Sequence, residues 1–473
     1  MRRTKIVATL GPASREPQIC RALIEAGVDV VRLNFAHGKP AEHERAIATV
    51  REQAAQVRTI VGVLVDLPGP KMRTGPLAGE EIDLRPGDTF VLTSDDVAGD
   101  RERVSTSVPH LARLTEPGEE IFLADGAIVL VVTDIKGDDV LTEVMRGGVL
   151  RSRKGMHIPS AERKVQAFTA EDEEEMKRAV RWKVDLVGLS FVRDADDVER
   201  AREALPKRGH RPLIVAKIET AAAVDNLADI VSAADAVMVA RGDLGIQLPF
   251  GAVPHLQKRI IRAANDAGKA VITATQMLES MTHAPLPTRA EVSDVATAIA
   301  DGTDAVMLSE ETAVGSYPVE AVKAMADIAT RADESLELED REPEHIHLHN
   351  DKVSWAVAHA AVQAAEDLEV AAILCPTRSG STAFRVAAYR PSAPIVGLSE
   401  RAETLGPLAL CWGVRPLAIE PSPEGWTAEE DVERAGGAAR RAGIVKRGDL
   451  VAVVAGSPGR RAGRTDYVRI ARV

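Results

Sequence analysis

Where short apolar runs of this chain give way to polar residues, those residues are of kinds that could do chemistry. They are Arg32 and Asn34, Asp66, Ser190, Lys217 and Glu219, Asp243, Thr275 and Ser309, with Lys71 and Arg73 just beyond Asp66. Glu219 and Asp243 end successive runs. Two carboxylates so placed suit a hard divalent cation that keeps open positions for substrate oxygens, Mg2+ or Mn2+. Lys217, two residues before one of them, could neutralise a phosphoryl group bridged by that ion. With no evident Ser/His or Cys/His nucleophile, the set points to phosphoryl transfer by positioning and charge stabilisation. Each residue alone reads equally well as a loop or cap residue; only their convergence on one pocket would give them a common role.

The elements that would make them converge are eight runs: TKIVATL, DVVRLN, VGVLVD, DLVGLSF, LIVAKIE, DAVMVARGD, AVITATQ and DAVMLSE. Helical stretches follow most of them, such as GAVPHLQKRIIRAANDAG after the sixth. Eight strand-then-helix units predict a (β/α)8 barrel, a TIM barrel of α/β class, in which strand C-termini carry the chemistry. Between the third and fourth runs the pattern changes to β-rich segments punctuated by RPGD, EPGE, ADG, KGDD and RGG. An inserted all-β domain over residues 72–154, hanging over the barrel mouth as a lid, is expected there, with the barrel formed by 1–71 and 155–340. The polar stretch EDREPEHIHLHND reads as a linker to a C-terminal α/β domain, 341–473, built from runs such as AAILCPT and DLVAVVAG.

A net charge of −12 argues against nucleic acid or an anionic membrane as partner, so any bound phosphate must be met by local cations or metal. Cys20, Cys375 and Cys411 have no metal-ligand spacing and read as buried small hydrophobes in a reducing cytoplasm. The run IVATL is cut at Gly11-Pro12, so neither a signal peptide nor a spanning helix is expected. In the C-terminal region, Thr377, Arg378, Ser379, Gly380, Ser381 and Thr382 lie between a strand and a helix start, where hydroxyls and free N–H groups form either a phosphate cradle or a plain helix cap.

Taken in order, TKIVATLGPAS, RLNFAHG, KIET, MVARGDLGI, ATQMLESM, PTRAEVSDVA and LSEETAVGSYPVEAV resemble the segments of the pyruvate kinase family across essentially the whole chain. The resemblance implies transfer of the phosphoryl group of phosphoenolpyruvate to ADP, giving pyruvate and ATP in glycolysis, and a homotetramer. It implies Glu219 and Asp243 as ligands of the divalent metal, Lys217 beside the phosphoryl group, and Arg32 on the phosphate. The backbone at Gly242 and Asp243 would meet the substrate carboxylate, with Thr275 and Ser309 near the enolate. Asn34, Arg73 and Asp125 fall on the nucleotide side, and the Thr377–Thr382 loop becomes a site for a phosphorylated effector, with Arg460 or Arg461 adding charge.

The departures from the family pattern are as informative. Its NFSHG is here Asn34-Phe35-Ala36-His37-Gly38, and its D-T-K-G-P-E is Asp66-Leu67-Pro68-Gly69-Pro70-Lys71. The family's K+ site uses the asparagine, the serine hydroxyl, the aspartate and the threonine carbonyl. Here the remnant is Asn34, Asp66 and Leu67, and Lys71 is expected to act as an internal cation that removes the need for K+. Glu310 and Thr220 are further departures, Glu310 being expected to point harmlessly outward. Two other readings stand beside this one: a Mg2+-dependent aldolase acting on pyruvate enolate, and a weak paralogue used as a metabolite sensor.

Overall fold

The computed structural model describes residues 2–124, 126–336, 351–420, 428–457 and 463–473. Asp125, Arg460, Arg461 and most of the expected linker therefore lie outside the described residues.

The eight runs form a closed barrel of parallel strands: β1 Lys5–Thr9, β2 Val30–Asn34, β3 Gly62–Asp66, β4 Leu186–Leu189, β5 Leu213–Ile218, β6 Ala236–Ala240, β7 Ala270–Ala274 and β8 Ala305–Leu308. Seven of the eight strands are buried along their whole length or all but one position, as expected for a sheet covered by helices outside and filled by its own side chains inside. Val7, Leu64, Val215, Met238 and Ile272 belong to the inner cluster, while Ile6, Val63, Ile214 and Val271 pack outward against the helices.

At the N-terminal ends a single device recurs four times. Asp29, Asp185, Asp235 and Asp304 immediately precede β2, β4, β6 and β8, and each carboxylate accepts the backbone N–H of the neighbouring odd strand: Ile6 at 2.8 Å, and Val63, Ile214 and Val271 at 2.9 Å each. Each aspartate returns its own N–H to the carbonyl of that same residue, at 2.9 to 3.0 Å. Strand ends that would otherwise present an unpaired donor are thus closed in pairs.

Two of these clamps also face the C-terminal domain. Its five-stranded sheet runs Val414–Ala418, Ile395–Ser399, Ala372–Pro376, Leu450–Ala455 and Tyr467–Arg472, parallel except for the last strand. Asp304 meets Arg390 at 3.2 Å, and Arg390 in turn lies 4.7 Å from the Trp412 ring centre. Asp185 packs against Gly406 so closely that a methyl group there would overlap the carboxylate, at 2.2 Å. Glycine at 406 is what lets the domain approach.

The lid contains a six-stranded sheet in the order Met156–His157, Glu120–Leu123, Ile128–Lys136, Asp139–Arg146, Thr89–Thr93, Arg103–Ser105, plus the pair Glu81–Leu84 and Gly148–Arg151. Its apolar core draws on residues from Met72 to Ala161. The outgoing and returning chains are bonded to each other, Thr74 N–H to the Lys154 carbonyl at 2.9 Å and Met156 N–H to the Met72 carbonyl at 2.9 Å. Among the described residues no helix is long and apolar enough to cross a membrane.

Candidate active site

Strand direction brings Arg32, Asp66, Lys217 and Glu219 to one end of the barrel. Arg32 donates to Asp66 Oδ2 from Nε at 2.9 Å, with its Nη2 at 2.7 Å from the same oxygen, and Nη1 donates to Thr9 Oγ1 at 3.1 Å. The guanidinium is fixed on two sides before any ligand arrives. Lys217 donates to Ser190 Oγ at 2.9 Å, and its ammonium stands 3.1 Å from Glu219 Oε2 and 3.8 Å from Asp66 Oδ2. Ser190 hands its own proton to the Leu67 carbonyl at 2.9 Å, so that carbonyl, part of the expected K+ remnant, is already engaged.

These charges lie in a dry setting. Burial would raise the Asp66 carboxyl, but Arg32 and Lys217 outweigh it and hold Asp66 ionised below the usual range. Burial would likewise lower Lys217, and Glu219, Asp66 and Asp243 more than offset it, so the ammonium is held charged. Glu219 goes the other way: burial, reinforced by the charge of Asp243, pushes its carboxyl up to about 7 despite the pull of Lys217. Glu219 Oε1 accepts the Phe191 N–H at 2.6 Å, whereas Oε2 is buried and faces only the Lys217 ammonium, at 3.1 Å, among the described residues. Asp66 Oδ1 is buried without a hydrogen bond. Asp243 is near enough for its charge to raise the Glu219 carboxyl, and two carboxylates so close together are a donor set that fits a divalent ion. Among the described residues there is no cluster of three or more His, Cys, Asp or Glu side chains arranged as a metal cage. A two-carboxylate site with open positions is consistent with that.

On the opposite side, Gly242 N–H donates to Thr275 Oγ1 at 2.8 Å. Thr275 and Gln276 have φ of 64° and 55°, unusual for side chains with a Cβ. Arg241 explains how the turn is held: its guanidinium donates to the Thr275 carbonyl at 2.8 Å and is anchored by Asp294 at 2.7 Å. Ser309 Oγ is buried without a hydrogen bond, while its N–H and that of Leu278 converge on Glu311, at 2.7 and 3.1 Å. Glu311 is buried and Glu310 is exposed, facing outward. Thr220 accepts the Ala223 N–H at 3.0 Å and serves as a helix cap.

The other expected residues are more dispersed. Asn34 turns its side-chain carbonyl back to the Ala36 N–H at 3.1 Å. Arg73 lies on the chain entering the lid, its guanidinium 3.4 Å from the Arg153 carbonyl. Lys71 is exposed, has no carboxylate within ion-pair distance among the described residues, and faces the cleft between lid and barrel together with Asp243. Its charge is felt by His37, whose ring burial, Arg73, Lys71 and Arg32 together hold below the usual histidine range. In the C-terminal loop, Gly380 N–H donates to Thr377 Oγ1 at 3.0 Å, Ser379 and Ser381 hydroxyls are 3.1 Å apart, and Thr404 Oγ1 donates to the Arg378 carbonyl at 2.8 Å. Thr382 is buried and paired with Thr465 at 2.8 Å, which removes it from an exposed cradle.

Sequence reasoning passed over Thr9, Glu311 and Arg241, which touch the expected residues rather than the cleft. The juxtaposed Glu310-Glu311 pair was the available signal, but only burial distinguishes the two.

A (β/α)8 barrel whose mouth opposes buried carboxylates to fixed cations beneath an inserted lid has the makings of a phosphotransferase. Two family models match: "Pyruvate kinase, barrel domain" over residues 1–322 and "Pyruvate kinase, alpha/beta domain" over 355–471. The chain is 43% identical to the pyruvate kinase of Geobacillus stearothermophilus over 99% of its length and 80% of that protein's. It is 39% identical to that of Thermococcus litoralis, covering all of this chain and 98% of the relative, and 38% identical to that of Thermotoga maritima with full coverage of both. The chain belongs to the pyruvate kinase family and is a phosphotransferase.

Proposed function

We propose that the chain transfers the phosphoryl group of phosphoenolpyruvate to ADP in glycolysis, with Mg2+ or Mn2+ and without K+. The observation that carries this reading is the buried ammonium of Lys217, set between Ser190, Glu219 and Asp66 and held charged at the barrel mouth. A cation so fixed costs no reorganisation when negative charge develops on a phosphoryl group in flight. Glu219 and Asp243 would hold the divalent ion, which supplies charge neutralisation between substrate carboxylate and phosphate. Arg32, kept in place by Asp66 and Thr9, clamps the phosphate. The Gly242 N–H receives the carboxylate by giving up its bond to Thr275, whose hydroxyl must turn from the Ala274 carbonyl to donate as well, and Ser309, whose hydroxyl has no partner among the described residues, hands on a proton near the enolate face. Asn34, Arg73 and Asp125 take the nucleotide side, and the lid excludes water so that ADP rather than water accepts the group.

Freedom from K+ rests on Ala36, which has no hydroxyl to offer, on the Leu67 carbonyl already engaged by Ser190, and on Lys71 as a resident positive charge. A phosphorylated metabolite at Thr377, Arg378, Ser379, Gly380 and Ser381 would regulate the enzyme. Assembly into a homotetramer in the cytoplasm is part of the same reading and rests on the family resemblance alone. The deciding experiment couples pyruvate release to a reporter with phosphoenolpyruvate, ADP and Mg2+, in choline buffer with and without K+. Equal turnover in both is expected; strong K+ activation overturns the cation assignment, and no turnover in either overturns the reaction and leaves the aldolase and sensor readings.

A further inference from the structure

A carboxylate outside the cleft holds one of the loops that build it. The helix Ala170–Arg181, which leads into β4, opens with a capping box: Thr169 Oγ1 accepts the Asp172 N–H at 3.1 Å, and Asp172 Oδ2 accepts the Thr169 N–H at 2.8 Å and its hydroxyl at 2.7 Å. That box occupies one oxygen of the carboxylate. The other, Oδ1, accepts the N–H of Gly69 at 2.9 Å, from the loop after β3. Asp172 is fully buried, so neither oxygen turns to water.

Gly69 is where the loop after β3 meets the loop after β4. Its φ is +64°, and a Cβ there would stand 2.9 Å from Phe191 Cδ2 and 3.1 Å from Ser190 Cβ. Phe191 has φ of 56°, a backbone that a bulky residue keeps only when its surroundings enforce it, and in that conformation its N–H reaches Glu219 Oε1. Ser190 bonds the Leu67 carbonyl on one side and receives Lys217 on the other. The Gly69 carbonyl accepts the Lys71 N–H at 2.8 Å, and Pro70, Lys71 and Phe191 line the cleft together with Asp243. Asp172 does not line the cleft; it reaches the reacting groups through the backbone at Gly69.

We propose that Asp172 is a positioning residue: by gripping Gly69 it seats the loop after β3 against Ser190 and Phe191, and so holds Lys217 and Glu219 where the reaction needs them. Both duties require a carboxylate, which offers two acceptor oxygens where an asparagine offers one. In Asp172→Asn the amide oxygen goes to Thr169, which has two donors to satisfy, and the NH2 is left facing the Gly69 N–H. The cap survives and the loop is released. The inference deepens the proposed reaction and rests on it for the roles of Lys217 and Glu219.

The test compares the full-length parent with Asp172→Asn and Thr169→Ala. Thr169→Ala removes the capping hydroxyl but keeps the Gly69 bond, so it costs helix stability without touching the loop; a purely stabilising role for Asp172 predicts the same behaviour from both variants. In Mn2+ titrations followed by electron paramagnetic resonance, Asp172→Asn should bind about fivefold more weakly, the scale of one buried hydrogen bond lost, and Thr169→Ala as tightly as the parent. kcat should fall by a similar factor in Asp172→Asn alone, with KM for ADP unchanged. Amide hydrogen exchange over residues 66–72 and 190–192 should quicken in that variant alone. Equal effects from the two substitutions, exchange unchanged by Asp172→Asn, or quickened exchange with Mn2+ binding and kcat at parent values each overturn the inference. A parent without turnover refutes the reaction, and one that binds no Mn2+ refutes the metal assignment; the exchange comparison then still decides whether Asp172 holds the loop.

Discussion

Replacing Lys217 by methionine separates two electrostatic effects with opposite signs. The ammonium lies 3.1 Å from Glu219 Oε2 in a buried setting. At an effective dielectric near 20, unit charges at that distance attract by about 5 kcal/mol, an upper figure that relaxation and entering water reduce. If only about 1.4 kcal/mol survives, the Glu219 carboxyl rises by about one pH unit from its already elevated value near 7. If Glu219 holds the divalent ion as proposed, it must do so ionised, so at pH 7 the ionised fraction would fall from about one half to about one tenth, and Mn2+ binding would weaken about fivefold. Simple loss of a repelling cation predicts the reverse, tighter Mn2+ binding at every pH. Titrating Mn2+ by electron paramagnetic resonance between pH 6 and 9 distinguishes them: the binding curves of parent and Lys217→Met should cross, the variant weaker in acid and equal or tighter above pH 8.5. Uniformly tighter binding with an unshifted midpoint would refute the coupling between Lys217 and Glu219.

Other expectations can be checked with standard assays. Lys71→Glu should depress turnover in choline buffer and make it responsive to added K+, by about tenfold at most, since Lys71 is exposed and its charge is screened by solvent to roughly 1 kcal/mol. Asp185 is raised by burial to about 6, against an ordinary value of 3.8. Its contribution to stability is therefore full below about pH 4 and lost as pH rises through 6, by about 3 kcal/mol at most. Chemical denaturation should show Asp185→Asn gaining on the parent over that window; a constant difference across it would count against the assignment. Asp304→Ala removes the clamp on Val271 and leaves Arg390 without its carboxylate, so a loss of about 3 to 5 kcal/mol is expected in the same measurement, and more than Asp235→Ala, whose carboxylate is not buried.

The barrel was legible because its strands are apolar throughout and each ends in polar residues at the active face, and the lid because turn signals replaced helical periodicity. Arg32, Asp66, Lys217 and Glu219 could be found as strand ends. Ser190 could be found the same way, but not its bond to Lys217; Thr9, which fixes Arg32, and Glu311, which joins the backbone at Leu278 to that at Ser309, could not, since they act through contacts that only the fold brings together. The turn at Thr275 and Gln276 was hidden for another reason: no glycine marks its positive φ, which Arg241 enforces from a neighbouring strand end. Lys71 stood out by its charge alone, and position decides its partners. The aspartates opening DVV, DLV and the two DAV runs were visible, yet their role needed the register between strands.

Those aspartates divide the barrel into four strand pairs, β1 with β2, β3 with β4, β5 with β6 and β7 with β8. The division bears on where the chain can be cut and rejoined. New termini placed between pairs, for example at exposed Gly209 between β4 and β5, leave three clamps closing 21 to 33 residues and the fourth, which spans the lid, closing its native 122. Termini placed within a pair, such as in the turn at Gly27 before β2, would turn a closure over 23 residues into one spanning most of the polypeptide. Circular permutants should therefore refold quickly when opened at the first kind of seam and slowly at the second, a kinetic partition of the barrel into quarters.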